Sequence, residues 1–562
     1  MAISRTAATV AVTIVGTCLL ALALRAEEPG AYRLKLDAGT TGSTAEEKPP
    51  LVKDEGLKVV EISEPAALAQ SDTKYVLTKD VTAPGTAFTI SRGVKNCILD
   101  LGGHTVVYNA EPRKEDPAKP YGHCVYGVSI AGPLSENIVV RNGTILQGAG
   151  GSSGCHAIVA GGGRAIEIYG ILSRVYGASS SNVSVVWGGP DGRIHDNYFE
   201  NRGRDIAPGL FSPDGISVSQ SGPNWEIWNN TVIGGHTSIS VGANAVKEQH
   251  TKYSIHHNFL SPRRIHGVKT PEGICTFGAA ENYIYENEIA TDDARGINIQ
   301  ARGSGFSDVH HNRVACRYST EAKEGNYVEN RCYGYWERDG EANKLHDNVW
   351  IVNNDVVGDR TSDSIGIVAT TTGGRLKSAE FVNNRILCRH KDPKVDVLGF
   401  DVKRSDAGVI VRGNEIVART AGIRLFEGCV GVQVKDNVFL TLPGTPAGAK
   451  AVDGDDVAKC VVEGNVTAAL LLGDKPPAKP SGLVALLRPE AVELRWTHNI
   501  EKDVVGYNVY CDGRKINPYP VGGRFFVHVG VKPGEKHAYA VAALDLLDRE
   551  SGRSDPLDVV QK

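Results

Sequence analysis

The sequence predicts an all-β protein: a right-handed parallel β-helix solenoid followed by a small β-sandwich. Three observations predict it. First, one short pattern returns along the chain: an apolar residue, a few mostly polar ones, Asn, then apolar residues again. It reads Ile194-His195-Asp196-Asn197-Tyr198-Phe199 and Ile227-Trp228-Asn229-Asn230-Thr231-Val232. It recurs at Asn258, Asn287, Asn312 and Asn348, and more weakly at Asn384, Asn414, Asn437 and Asn465. Upstream, Asn142 belongs to it, and Ile168-Tyr169-Gly170-Ile171 carries Gly in the Asn slot. The steps run from 23 to 36 residues, a period that marks a repeat architecture. Second, each unit holds alternating Ile and Val runs, such as Gly215-Ile216-Ser217-Val218-Ser219 and Ser238-Ile239-Ser240-Val241, bounded by Gly, Asn, Ser and Pro. That is strand and turn chemistry, and no unit holds an amphipathic helix. Third, the period stops at Lys475-Pro476-Pro477-Ala478-Lys479-Pro480.

Taken in order, residues 1–26 read as a secretory signal: Arg5, an apolar run from Ala7 to Leu24, and small residues at Ala23 and Ala26. Residues 27–70 form a polar segment rich in Glu, Lys, Pro and Gly. Residues 71–473 carry the repeats. Parallel strands normally need a helical crossover, and a coil of short strands joined by tight turns avoids it. Coils then stack at about 4.8 Å. Asn tolerates a left-handed turn, and its amide donates to one neighbouring coil while accepting from the other. The Leu-x-x-Leu-x-Leu consensus of leucine-rich repeats is absent. Residues 474–480 are a Pro-rich linker, and 481–562 the sandwich.

The stretch from about 75 to 470 resembles the pectin-lyase-like β-helix superfamily, with Tyr75-Val76-Leu77-Thr78-Lys79-Asp80 and Ile98-Leu99-Asp100-Leu101-Gly102-Gly103-His104-Thr105-Val106 similar to its opening coils. Folds of this kind host lyases, hydrolases, epimerases and non-catalytic proteins, so the resemblance implies architecture more than activity. The tail, with Leu494-Arg495-Trp496, Asp503 to Tyr510, Val531-Lys532-Pro533-Gly534 and Tyr539 to Asp545, resembles a fibronectin type III domain. That resemblance implies Trp496 as the core Trp and Tyr539 as the inter-strand tyrosine.

Gly makes up 64 of 562 residues, which suits a turn-rich solenoid, and the formal net charge is −4 with both signs interspersed. Neither nucleic acid nor a membrane surface beyond the signal segment is indicated as partner. Ten cysteines remain once Cys18 leaves with the signal. Cys97, Cys275, Cys388, Cys429 and Cys460 fall within strand runs, where a small thiol packs well. No Cys-x-x-Cys is present, so no zinc site is expected.

In the superfamily the chain resembles, substrates lie across one sheet and the turn before it. Aligning the strands at 215–220, 238–243, 273–278 and 296–301 makes a column of the preceding residues: Asp214, Thr237, Glu272 and Arg295, with His236 one step back. Asp214 and Glu272 then stand two coils apart, about 9.6 Å by backbone stacking. That is near the upper end of the ~6.5–9.5 Å carboxyl separation of inverting glycosidases. One carboxyl would protonate the leaving oxygen while the other activates water. Pro213-Asp214-Gly215-Ile216 resembles the Asn-Thr-Asp-Gly-Ile motif of polygalacturonases, and Gly235-His236-Thr237 loosely resembles their Gly-His-Gly. Their intervening Asp-Asp pair and their Arg-Ile-Lys are missing, so that family is not assigned.

A lyase uses the same cleft differently. Uronate lyases of this fold use an Arg or Lys base, which points to Arg295 or Lys269, with Asp205, Asp292 and Asp293 offering oxygen ligands to calcium. Arg202, Arg204, Arg263 and Arg264 would attract an acidic or sulfated polymer. Asn298, Gln300, Tyr335 and Trp336 complete the candidate substrate contacts, the last two within the longest irregular insertion. The pairs His256-His257 and His310-His311, with His195 and His346, hold the repeat position beside the Asn ladder, which argues for structure rather than metal.

Three functional expectations follow. The chain is an exported enzyme, secreted, periplasmic or at the cell surface, that depolymerises a polysaccharide by hydrolysis without a cofactor. Or it is a calcium-assisted polysaccharide lyase. Or it is a non-catalytic surface or adhesion protein.

Overall fold

The computed structural model describes residues 31–562 except 112–123, 151–153, 178, 187, 203–213, 220, 243–250, 263–270, 279, 293, 302–305, 319–330, 338–342, 355–363, 372–374 and 443. The signal segment read at 1–26 lies outside the described residues.

The chain is a parallel β-helix followed by two antiparallel sheets. Each coil has three faces. A typical coil runs Trp225–Trp228 on the first face, Thr231–Gly234 on the second and Thr237–Gly242 on the third. Among the described residues, first and second faces form one sheet of 28 strands, bent between them, and the third face forms a sheet of 14. Pairings between neighbouring coils are parallel and in register: Ile227 with Ile255, Ile255 with Ile284, Val232 with Leu260, Ile239 with Ile274. Alternation sends these residues inward, where all are fully buried.

The bend explains the recurring Asn. At the bend one residue per coil is left-handed: Asn142, Gly170, Asp196, Asn229, His257, Glu286, His311 and Asp347 all have φ between 51° and 62°. From Asp196 on, the next residue is the ladder Asn. From Asn197 through Asn437, each Nδ2 donates to the Oδ1 of the next Asn at 2.8–3.1 Å. The sequence placed Asn142 and Gly170 in the ladder, and the register corrects this by one residue. Arg141 pairs with Tyr169 and Tyr169 with His195, so Asn142 and Gly170 align with Asp196 in the left-handed column. Asn suits both positions, so the sequence pattern alone does not separate them. The ladder starts at Asn197, whose Oδ1 accepts the Ile171 N–H at 2.9 Å.

Before each bend the rings of Tyr169, His195, Trp228, His256, Tyr285, His310 and His346 stack, successive centroids 4.0–6.0 Å apart. The recurring histidines are rungs of this column.

Stacking begins earlier than the sequence indicated. Lys58–Ile62, inside the segment read as polar, already pairs with Thr73–Leu77. Residues 31–57 form a strap that runs back along the solenoid. Ala31 and Tyr32 pair with Ala469 and Leu470 at its far end. The Gly39 N–H donates to the Asp347 carbonyl at 2.8 Å. The Thr41 N–H donates to Glu286 at 2.8 Å, Lys48 to Glu226 at 2.6 Å, and the Leu51 N–H to Glu167 at 3.0 Å. Val52 closes it against Ile98 and Val139.

The sandwich sets Ser481–Arg488, Ala491–Thr497 and Phe525–Val529 against Val504–Cys511, Arg514–Lys515, Lys536–Asp545 and Leu557–Val560. Trp496 and Tyr507 meet edge to face in its core, and Tyr539 is fully buried there. The sandwich is docked on the second face. Arg174 donates to Glu490 at 2.8 Å, Thr231 to Glu493 at 2.8 Å, Arg313 to the Gly522 carbonyl at 2.9 Å, and Arg389 to Asp548 at 2.8 Å. Phe259 packs on Phe525, and a cavity of about 150 Å³ remains between Ala315, Arg317, Val505 and Tyr519. These contacts of strap and sandwich fall on the first face, the bend and the second face.

Candidate active site

The third-face strands at the middle of the solenoid pair in the register read from the sequence. Ile216 pairs with Ile239, Thr237 with Glu272, and Glu272 with Arg295. Asp214, Thr237, Glu272 and Arg295 therefore stand in one column at the rim of the face. The strand starts demand glycine. A Cβ on Gly215 would meet Val232 Cγ1 at 2.3 Å, and one on Gly273 would meet Ile289 Cγ2 at 2.5 Å. Both are far inside contact distance, so these glycines let the strand turn tightly over the second face just after each acid. The outward residues beside the column are small or polar: Ser217, Ser240, Cys275 and Asn298.

The two acids sit in opposite environments. Asp214 keeps 15 % of its side chain exposed, and its Oδ1 has no hydrogen-bond partner among the described residues. His236 Nδ1 is 4.0 Å from that oxygen and makes a 3.0 Å hydrogen bond with Thr237 Oγ1. Burial, with the Glu272 carboxylate adding to it, pushes the Asp214 carboxyl up to about 8, against a weaker pull from the Thr237 N–H. Glu272 is buried but charge-paired: Arg295 donates to its Oε1 at 3.1 Å, and the Asn298 amide donates to the same oxygen. Two coils separate the acids, about 9.6 Å along the stack. Burial and Glu272 push the Cys275 thiol well above its ordinary range, so it is not a nucleophile.

The remaining candidates divide. Asn298 has Glu272 as a partner within the protein. The guanidinium of Arg295 is engaged by the Glu272 carboxylate, which counts against its use as a base. Arg202 donates to Glu200 in the coil of Asp214 and lies 6.0 Å from the Tyr176 ring. Lys269, Arg204, Asp205, Arg263, Arg264 and Asp293 lie outside the described residues. Asp292 ends the second-face strand Glu288–Asp292, and Gln300 lies in the third-face strand Arg295–Ala301. Tyr335 and Trp336 are corrected in one respect. They belong to a strand, Arg331–Glu337, that continues the third face, not to an irregular insertion. Alternating aromatic residues are strand formers, and the long step from Asn312 to Asn348 hid this. Tyr335 shares a register column with Ile299 and Ala369.

Sequence reasoning missed the upstream part of the column. Ile158–Ala160 pairs with Val128–Ile130 on one side and Val183–Val185 on the other. By that register Tyr126, His156 and Ser181 precede Asp214 in the same column. The rings of Tyr126 and His156 stack 6.1 Å apart and parallel. The Ser181 N–H donates to His156 Nδ1 at 2.9 Å, and burial holds that imidazole down to about 4, hence neutral. The signal was Ile158-Val159-Ala160, a third-face strand too short to stand out. Among the described residues, metal-ligating groups converge only at Cys511, Asp512 and His537, on the sandwich. There Asp512 caps its hairpin, accepting from Ala538 N–H at 2.9 Å and meeting His537 Nδ1 at 2.7 Å.

No family model matches the chain, and no curated protein matches it. Solved structures match short stretches. The Clostridium perfringens spore cortex lytic enzyme SleM is 23 % identical over 15 % of this chain, with a TM-score of 0.14, and the chain covers 29 % of it. The FN5 domain of Drosophila Lar is 22 % identical over 15 % of this chain and 96 % of its own, with a TM-score of 0.13. The sixth fibronectin type III domain of human fibronectin type III domain containing protein 3 is 18 % identical over 16 % of this chain and 90 % of its own, with a TM-score of 0.15.

Proposed function

We propose that this chain is an exported glycoside hydrolase, built on a β-helix of the pectin-lyase-like kind, that cleaves a polysaccharide laid along its third face. The observation that carries the proposal is the contrast between the two acids of one column. Asp214 is a carboxyl held protonated to about pH 8, and Glu272 is a carboxylate braced by Arg295 and Asn298. Pairs of acids whose environments push them apart take separate roles in glycoside cleavage. Asp214 gives its proton to the glycosidic oxygen as the C1–O bond breaks. Glu272 takes a proton from the water that attacks C1 from the opposite side. Their spacing along the stack leaves room for that water and favours inversion. Arg295 acts here as a positioning residue for Glu272, in place of the base role that the lyase reading gives it.

The test is reducing-end release from a panel of acidic and neutral polysaccharides by the wild type, Asp214→Asn and Glu272→Gln. Loss of at least ~100-fold in kcat for both variants, in line with removal of a general acid or base, supports the proposal. Full activity in either one sinks the assigned roles.

A further inference from the structure

We infer that Cys124 and Cys155 form a disulfide that staples two neighbouring coils at the upstream end of the third face. Val128–Ile130 and Ile158–Ala160 are adjacent third-face strands. Their pairing continues backward: the Val128 N–H donates to the Ala157 carbonyl at 2.8 Å and the Gly127 N–H to the His156 carbonyl at 3.3 Å. Counting back along both chains brings Cys124 and Cys155 to one corner, one coil apart and one residue out of register. A strand spacing of about 4.8 Å and a rise of about 3.3 Å give a diagonal of about 5.8 Å between their Cα atoms. Disulfides span ~4.4–6.8 Å.

The sulfur is on the correct side. The Val125 N–H donates to Cys155 Sγ at 3.4 Å, which sets that sulfur against the peptide joining Cys124 to Val125. Burial and then the neighbouring Cys155 raise the Cys124 thiol. Cys155 is fixed, its N–H donating to Ser180 Oγ at 3.1 Å and its carbonyl accepting the Tyr108 hydroxyl at 2.7 Å. It is fully buried, whereas Cys124 is partly exposed. Cys316 and Cys388 share a column but stand two coils apart with Val352 between them.

The chemistry is thiol–disulfide exchange with a low-molecular-weight disulfide. The accessible Cys124 thiolate attacks a sulfur of the oxidant and releases one thiol, leaving a mixed disulfide. The Cys155 thiolate then attacks the Cys124 sulfur and releases the second thiol. Each cysteine gives up one proton to solvent, and the pair passes two electrons to the oxidant. The staple closes beside Tyr126 and His156, the upstream members of the column that holds Asp214, and ties their coils together independently of any catalytic role.

The experiment equilibrates the full chain with excess oxidised glutathione, then quenches, denatures, alkylates and maps it by mass spectrometry. The expected wild-type product is lighter by two hydrogens, has two fewer alkylated cysteines, and yields a peptide joining Cys124 to Cys155. Cys155→Ser should stop at one glutathione on Cys124, and Cys124→Ser should leave Cys155 alkylatable. Alkylation of both cysteines in the oxidised wild type would overturn the inference. So would a lasting glutathione adduct on wild-type Cys124, or a link from either cysteine to any other.

Discussion

Asp214 is the residue on which the functional account turns, and its proton gives two predictions. In the proposed role of general acid it must be protonated, so kcat/KM should fall as pH rises through about 8. Asp214→Asn should abolish activity at every pH. The same proton governs stability. The folded chain keeps it to about pH 8, while an unfolded Asp releases it near 3.8. Between those values the native state binds more protons, so this group makes stability fall as pH rises across the window. Asn cannot ionise, and thermal unfolding of Asp214→Asn should therefore show a raised Tm at pH 8 that shrinks toward pH 4. A Tm difference independent of pH would contradict the raised carboxyl. The sequence located this acid, because Asp-Gly-Ile, Glu-Gly-Ile and Arg-Gly-Ile repeat at strand starts. It did not say which acid holds the proton. That depends on Arg295 and Asn298 converging on Glu272 from the next coil, a matter of side-chain reach rather than spacing.

At the scale of elements, the ladder and the strap do the structural work. Asn287 donates to Ile255 O, Tyr285 O and Asn312 Oδ1 and accepts from Asn258 at its own Oδ1. Asn287→Ala should cost about 3 kcal/mol or more, at ~1 kcal/mol per hydrogen bond lost in a buried site. The half-exposed terminal rung should cost less, so Asn465→Ala should shift the urea midpoint only slightly. Equal shifts would contradict a buried, coupled ladder. The ladder was legible because Asn recurs at a near-constant step. The strap was not, because its partners (Glu167, Glu226, Glu286, Glu415) lie between 116 and 380 residues away and no local pattern announces them. Its hold is electrostatic. Burial opposes the charge of Glu226, but His256 and Lys48 outweigh it and bring the carboxyl to about 2. The stabilisation is present above the ordinary carboxylate range and is lost as pH falls toward that value. Limited proteolysis by an acid-active protease should leave residues 31–57 intact at roughly pH 5 and cut them below roughly pH 3. Cleavage unchanged across that range would show that the polar contacts do not hold the strap.

For the whole molecule, the sandwich is a wall of the solenoid rather than a module on a tether. Its key contact is Glu288, fully buried beneath it. Burial works against this charge, and His498, Arg524 and Arg313 outweigh it, holding the carboxyl down to about 2. Thr40 of the strap donates to the same group at 2.8 Å, so solenoid, strap and sandwich meet there. Glu288→Gln leaves buried cationic partners without their anion and should cost about 3 kcal/mol, read as a lowered midpoint in denaturant. A neutral result would mean that the apolar contacts around Phe259 and Phe525 carry the docking alone. The Pro-rich segment lies between the strands Val466–Leu470 and Ser481–Arg488, but docking depends on Arg174, Arg313 and Arg389 reaching sandwich carbonyls and carboxylates, which composition cannot reveal. With the described contacts of strap and sandwich on the first and second faces, the third is the face on which the proposed substrate would lie. The most direct measurement is product analysis on the polysaccharide panel, scoring new reducing ends and ultraviolet absorbance of unsaturated uronate together. Reducing ends without absorbance, lost in Asp214→Asn and Glu272→Gln, are the predicted result. Absorbance rising with the reducing ends, or no product from any polymer, would contradict a hydrolase on the third face.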